Sequence, residues 1–139
     1  MVLTVDSSVI VAALRKSEPH HGVCLRLMNK VKDGSHAAIQ PYSVLVEVVA
    51  AIKRRTGSED LALQVKRSLL DLDGFYFLEI ESFMAGAAAD LAAKTSLRGM
   101  DALVGQVAIE CDAHLVTLDA EMADRLNGIV KLGDINVLL

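Results

Sequence analysis

Val2-Leu3-Thr4-Val5-Asp6-Ser7-Ser8-Val9-Ile10-Val11-Ala12 is the stretch that decides the fold. Its first four residues are apolar or β-branched and read as a short buried strand. Asp6 ends that strand, and the apolar residues that resume after Ser8 read as a helix to about Lys16. The same figure returns late in the chain, where Leu115-Val116-Thr117-Leu118-Asp119 precedes a helical pattern to about Leu126. In open parallel sheets ligands bind outside the carboxyl ends of the strands. An acid at such an end is therefore a helix cap or part of a site, and here two acids fall on one rim.

Between these segments strands and helices alternate. The spacing predicts a helix from Pro19 to about Asp33, ended by Gly34, and a strand from His36 to Gln40. Pro41 stands in the first turn of a helix running to about Arg55, and Ser58 caps the next helix, which runs to about Leu72. Phe75 to Ile80 reads as a third strand, with Phe75-Tyr76-Phe77 as its core. An alanine-rich helix spans Ser82 to Thr95, a further helix Asp101 to Cys111, and the remaining strands His114 to Leu118 and Ile129 to Leu132. Strands separated by helices pair in parallel through right-handed crossovers. The expectation is one domain over residues 1–139, since this length buries one sizeable core and no repeat or linker divides it.

Two more acids lie where an apolar core is expected. Glu47 interrupts Val44-Leu45-Val46-Glu47-Val48-Val49-Ala50-Ala51-Ile52 in mid-helix, where no cap explains it. Asp101 opens the apolar helix Asp101-Ala102-Leu103-Val104. Each acid has an ordinary reading. Asp6, Asp101 and Asp119 suit helix caps or first turns, and Glu47 suits a narrow polar stripe shared with Ser43 and Arg54. Together they suit a divalent cation, because Mg²⁺ takes a few carboxylates and leaves positions for water and phosphate oxygens. Two such ions about 4 Å apart support phosphodiester hydrolysis.

Composition sets the bounds. The chain carries a net charge of −4 and is 53% hydrophobic, which excludes a disordered tail. An acidic balance counts against a nucleic-acid partner, but setting the four acids aside leaves the remainder neutral. Cys24 and Cys111 read as core thiols, with no zinc or disulfide spacing. No basic leader or long apolar span is visible, and the expected location is the cytoplasm.

Val5-Asp6-Ser7-Ser8-Val9-Ile10-Val11-Ala12 resembles the N-terminal motif of PIN domains. Glu47 on its apolar helix, Arg98-Gly99-Met100-Asp101-Ala102-Leu103-Val104, and Leu115-Val116-Thr117-Leu118-Asp119 resemble the second, third and fourth family motifs, in order and across essentially the whole chain. The resemblance implies a three-layer α/β/α fold with a central, mainly parallel five-stranded sheet, and an Mg²⁺- or Mn²⁺-dependent ribonuclease site. It implies Asp6, Glu47, Asp101 and Asp119 as the metal-binding acids and Ser8 and Thr117 as supporting hydroxyls. Chains of this size look most like VapC-type toxins, which implies a homodimer and a small cognate antitoxin. One departure is Ala120-Glu121-Met122, where many members place an aromatic; it leaves Glu121 as an alternative fourth ligand.

On this reading Asp6 and Asp101 bind the principal metal, Glu47 helps to hold it or activates water, and Asp119 binds a second ion or orients the first. Arg98, Arg15 and Lys16 are the candidate RNA contacts. Lys53-Arg54-Arg55 reads equally as RNA contact or as cations stabilising a helix end. His20 and His21 read as residues at a helix start. Aromatics for base stacking are few, with no Trp, two Tyr and three Phe. The competing functions are an RNA-processing nuclease outside a toxin–antitoxin pair, a catalytically silent protein-binding module, a DNA nuclease and a phosphoacceptor domain. The last lacks a lysine at the late strand end.

Overall fold

The computed structural model describes all 139 residues. Strands β1 (Val2–Val5), β2 (Ala37–Pro41), β3 (Phe75–Leu78), β4 (His114–Val116) and β5 (Lys131–Leu132) form one sheet. Helices α1 (Ser7–Leu14) and α2 (His21–Lys32) separate β1 from β2; α3 (Tyr42–Thr56) and α4 (Glu59–Leu70) separate β2 from β3. Helices α5 (Ser82–Thr95) and α6 (Gly99–Glu110) precede β4, and α7 (Ala120–Leu126) precedes β5.

The order is β3-β2-β1-β4-β5, and every pairing is parallel. Helices cover both faces of the sheet, giving the three-layer α/β/α arrangement. The chain moves outward from β1 through β2 to β3, then crosses back to β4 on the other side of β1. That reversal makes β1/β4 the topological switch point, where an open parallel sheet leaves a crevice at its carboxyl edge. Leu3, Val5, Leu115 and Val116 of these two strands are buried and pack with Val9 and Ile10 of α1, Val44 and Val48 of α3 and Val104 of α6. A fully buried side chain such as Leu3 contributes about 1.5–3 kcal/mol, so the strands carrying the rim acids are anchored in the most buried part of the chain.

Local chemistry explains the element ends. Helix α1 stops at Leu14, short of Lys16, and α2 starts at His21, beyond Pro19, because residues 15–20 make turns: Glu18 N–H donates to Arg15 C=O and His21 N–H to Glu18 C=O. Pro41 is the last residue of β2 and the extended cap of α3, which a ring lacking an N–H allows. Ser58 caps α4 through Leu61 N–H, as its position suggests. Helix α6 starts at Gly99, two residues before Asp101, which places that acid in the first turn. Gly74 turns the chain into β3 at φ +75°, and a Cβ there would lie 2.7 Å from the Val31 carbonyl oxygen.

In the third strand Phe75 is buried and edge-on to Phe77 at 5.3 Å, while Tyr76 is exposed. Both cysteines are free, and burial raises both thiols. No helix is long and apolar enough to cross a membrane.

Candidate active site

Asp6 follows the end of β1 and is buried, the residue 5% exposed. Its Oδ2 accepts hydrogen bonds from Thr117 Oγ1 at 2.7 Å and Ser8 Oγ at 2.8 Å, and Oδ1 accepts a longer one from Ser7 at 3.4 Å. The two nearer hydroxyls are themselves fixed. Ser8 Oγ accepts Leu118 N–H at 3.1 Å, and Thr117 Oγ1 accepts Asp119 N–H at 3.0 Å. Hydrogen bonds to a charged acceptor are shorter and stronger than neutral ones, and here they keep a buried carboxylate in one orientation. Asp6 makes no side-chain cap to α1; the bonding capacity that a cap would use is spent across the β1/β4 crevice.

Glu47 projects from α3 toward the same crevice. It is half-buried, and its Oε1 is shielded from solvent with no hydrogen-bond partner. Burial, then the charges of Asp6 and Asp101, push its carboxyl up to about 7. Ser43, the proposed neighbour on a polar stripe, is buried, so the solvent-stripe reading of Glu47 fails. Asp101 in the first turn of α6 is also raised, by burial, then by Asp6 and Asp119, against a lowering contribution from Arg98. Like charges that raise one another lie in one field, and this coupling joins Asp6, Glu47, Asp101 and Asp119 into one group drawn from four elements.

Asp119 does two jobs. Its Oδ1 caps α7 by accepting Glu121 N–H at 3.0 Å and Met122 N–H at 3.2 Å, as the cap reading expects, and it lines a small groove with Asp101 and Arg98. Glu121 lines that groove too, but its Oε1 accepts from both Nε and Nη2 of Arg125, at 3.1 and 2.9 Å.

The cations divide. Arg98 borders Asp101. Arg15 and Lys16 line neither this groove nor the larger cleft described next, and Arg15 Nη1 is buried without a partner. Beside Glu47 lies a second, open cavity of about 670 Å³ bordered by Ser7, Ser8, Glu47, Arg54 and the residue 18–20 turn. The sequence left Arg54 open between an RNA contact, a helix-end cation and a member of a polar stripe, and read His20 as a residue at a helix start. The available signal was the spacing of Glu47 and Arg54, seven residues apart and so on one face of α3.

The donor set fits a hard divalent cation: it is all oxygen, one atom of it is buried without a partner, and two of its carboxyls are raised by burial and then by their acidic neighbours. A cation satisfies such a group, whereas a proton neutralises one carboxylate at a time. The side chains are not closed around an ion, since no three His, Cys, Asp or Glu groups stand together in ligating geometry.

Residues 3–126 match the family described as the PIN domain. No curated protein matches significantly. Among solved structures, VapC20 of Mycobacterium tuberculosis, titled a sarcin–ricin loop cleaving toxin, aligns with TM-score 0.75 and 17% identity over 95% of this chain and 99% of its own. VapBC2 of Rickettsia felis, bound to a fragment of promoter DNA, aligns at 0.72 and 14% over 96% and 98%. PAE2754 of Pyrobaculum aerophilum aligns at 0.63 and 22% over 99% and 95%. These likenesses extend over whole chains and agree with the sheet order and layers described above. With the family match covering nearly the entire sequence, the chain belongs to the PIN domain family.

Proposed function

We propose that this chain is a metal-dependent endoribonuclease, the toxin of a VapBC-like toxin–antitoxin pair, acting in the cytoplasm as a homodimer restrained by a small cognate antitoxin. The observation that carries the nuclease reading is the buried Asp6 carboxylate, fixed by Ser8 and Thr117 beside the unpartnered Oε1 of Glu47 and the raised Asp101. The toxin and antitoxin assignments draw support from likeness to VapC20 and the VapBC2 complex.

Asp6 and Asp101 are the residues to hold Mg²⁺ or Mn²⁺, with Glu47 and Asp119 completing the set. Such an ion, when bound, lowers the pKa of water and offsets charge on a phosphodiester. Ser8 and Thr117 hold Asp6 so that one face of its carboxylate stays available. Glu47, half-buried in the crevice with Oε1 free of hydrogen bonds, helps to hold the ion or accepts a proton from an attacking water. Asp119 is the fourth acid in preference to Glu121, because Oδ2 of Asp119 remains free of hydrogen bonds within the chain while Arg125 occupies Glu121. Arg98 is placed to meet a phosphate beside Asp101.

The test is cleavage of total RNA by purified protein with Mg²⁺, with Mn²⁺ and with chelator, beside Asp6→Asn. Metal-dependent cleavage that disappears in the variant is expected. Full metal-dependent cleavage by Asp6→Asn would sink the site assignment, and no cleavage by folded, metal-supplied wild type would sink the nuclease reading.

A further inference from the structure

The cavity beside Glu47 is larger than metal chemistry alone needs. At about 670 Å³ it falls in the range of pockets that enclose an organic ligand, roughly 300–1,000 Å³. One wall is the α3 face carrying Glu47, Ala50 and Arg54, and the facing wall is Ser7, Ser8 and the turn at residues 18–20. Glu47 and Arg54 are separated by seven residues, about 10 Å along the axis and nearly in line. The alanine between them keeps the floor low, so a ligand lying on α3 reaches both ends.

The charges are arranged unevenly. Arg55, next in the chain, is ion-paired with Glu18, which braces the residue 18–20 turn against the end of α3. Arg54 has no ion pair and no hydrogen bond within the chain, although it borders the same cavity. An exposed guanidinium at the end of a cleft that begins at a carboxylate cluster lacks an anion, and the anions a nuclease handles are phosphates. Arg98 lines the separate groove with Asp101 and Asp119, so each of the two depressions beside the acids carries an arginine.

We propose that this cleft is a subsite for single-stranded RNA, in which Arg54 binds a phosphate neighbouring the scissile one and the intervening nucleotide lies over Ala50. The inference rests on the nuclease reading and extends it to a residue that the four-acid set does not contain. A single strand fits because the cleft is walled on both sides, whereas a duplex holds its bases stacked inside and is too broad to enter. His20, exposed at the facing wall, offers a ring on which an unstacked base can lie. The Arg55–Glu18 pair is then the brace that holds the wall open.

The test is fluorescence anisotropy of a labelled single-stranded RNA octamer of mixed sequence, titrated with protein in Ca²⁺ at several salt concentrations. Wild type, Arg54→Ala and Arg54→Lys are compared with Arg67→Ala, which makes the same charge change on α4 away from the cleft. Arg54→Ala is expected to bind about 5–10-fold more weakly and to lower the slope of log affinity against log salt by about 0.7, the loss of one phosphate contact. Arg54→Lys restores the slope, and Arg67→Ala keeps both. Unchanged affinity and slope in Arg54→Ala, equal losses in Arg67→Ala, or no binding by wild type would each overturn the subsite. Cleavage of the same octamer in Mg²⁺ is read separately: if wild type binds in an Arg54-dependent manner without cutting, the nuclease reading fails and the subsite stands.

Discussion

Replacing Glu47 by Gln should stabilise the metal-free protein at neutral and alkaline pH. The Glu47 carboxyl titrates near 7 in the fold against a reference of 4.5, so folding disfavours its charged form. Below about pH 4.5 the group is protonated folded or unfolded and costs nothing. Between 4.5 and 7 the unfolded chain releases the proton while the fold retains it, so stability falls as pH rises, and above 7 the full penalty is present. The span of about 2.5 units corresponds to roughly 3.4 kcal/mol at 1.36 kcal/mol per unit. Glu47 is only half-buried, and solvent screening reduces this to about 1–2 kcal/mol. For a chain of this length that is a rise in Tm of roughly 3–8 °C at pH 8, taking about 3–4 °C per kcal/mol. Thermal unfolding of both proteins in chelator from pH 4 to 8 is the assay. The difference should vanish at pH 4, grow through 6 and level off above 7. Added Mg²⁺ should then raise the wild type more than the variant, because only the wild type offers the carboxylate. Coincident Tm values at every pH in chelator would refute the reasoning, since Glu47 would then carry no penalty for a cation to relieve.

Thr117→Val removes the hydroxyl that donates to Asp6 and accepts from Asp119 N–H; urea unfolding should show a loss of about 1.5–3 kcal/mol, the range for bonds to charged groups. Asp6→Asn keeps an acceptor for Ser8 and Thr117, so it should retain the wild-type circular dichroism spectrum while losing cleavage by at least about 10²-fold, the scale of removing one electrostatic contact at a reacting centre. Gly74→Ala forces a Cβ to within 2.7 Å of Val31 C=O at a positive φ; a destabilisation of about 2–4 kcal/mol is expected in the same urea assay, of which about 1–2 comes from the backbone conformation alone.

The fold was legible wherever a local signal and a tertiary role coincided. Apolar runs ended by Asp6 and Asp119 read as strands because burial on both sheet faces demands continuous hydrophobicity. Ser58 read as a cap because its hydroxyl meets Leu61 N–H within the same turn. The ends of α1 and α2 fell elsewhere than the apolar pattern suggested because residues 15–20 form successive turns, Glu18 N–H on Arg15 C=O and His21 N–H on Glu18 C=O, and backbone turns of this kind leave little mark on hydrophobic spacing. Within the candidate site, Glu47 stood out as a charge without a helical partner. Its raised carboxyl did not, since that follows first from burial against the folded chain and then from the approach of Asp6 and Asp101 on other elements. Arg15 and Lys16 read as the cationic end of a helix, but the helix stops at Leu14 and they line neither the groove nor the cleft.

The Thr117–Asp6 hydrogen bond spans 111 positions, and it sets when during synthesis the site comes into being. Domains fold as units while the chain emerges from the ribosome, yet the first strand here has to wait for the fourth beside it. Until β4 and the residues after it have left the ribosome, Asp6 has Ser8 but neither Thr117 nor Asp119, and the crevice between β1 and β4 does not exist. The Asp6 site is thus unassembled through most of the synthesis of these residues. On the nuclease reading proposed above, cleavage would have to wait for the emergence of residues 114–119, whatever the order in which the other elements fold.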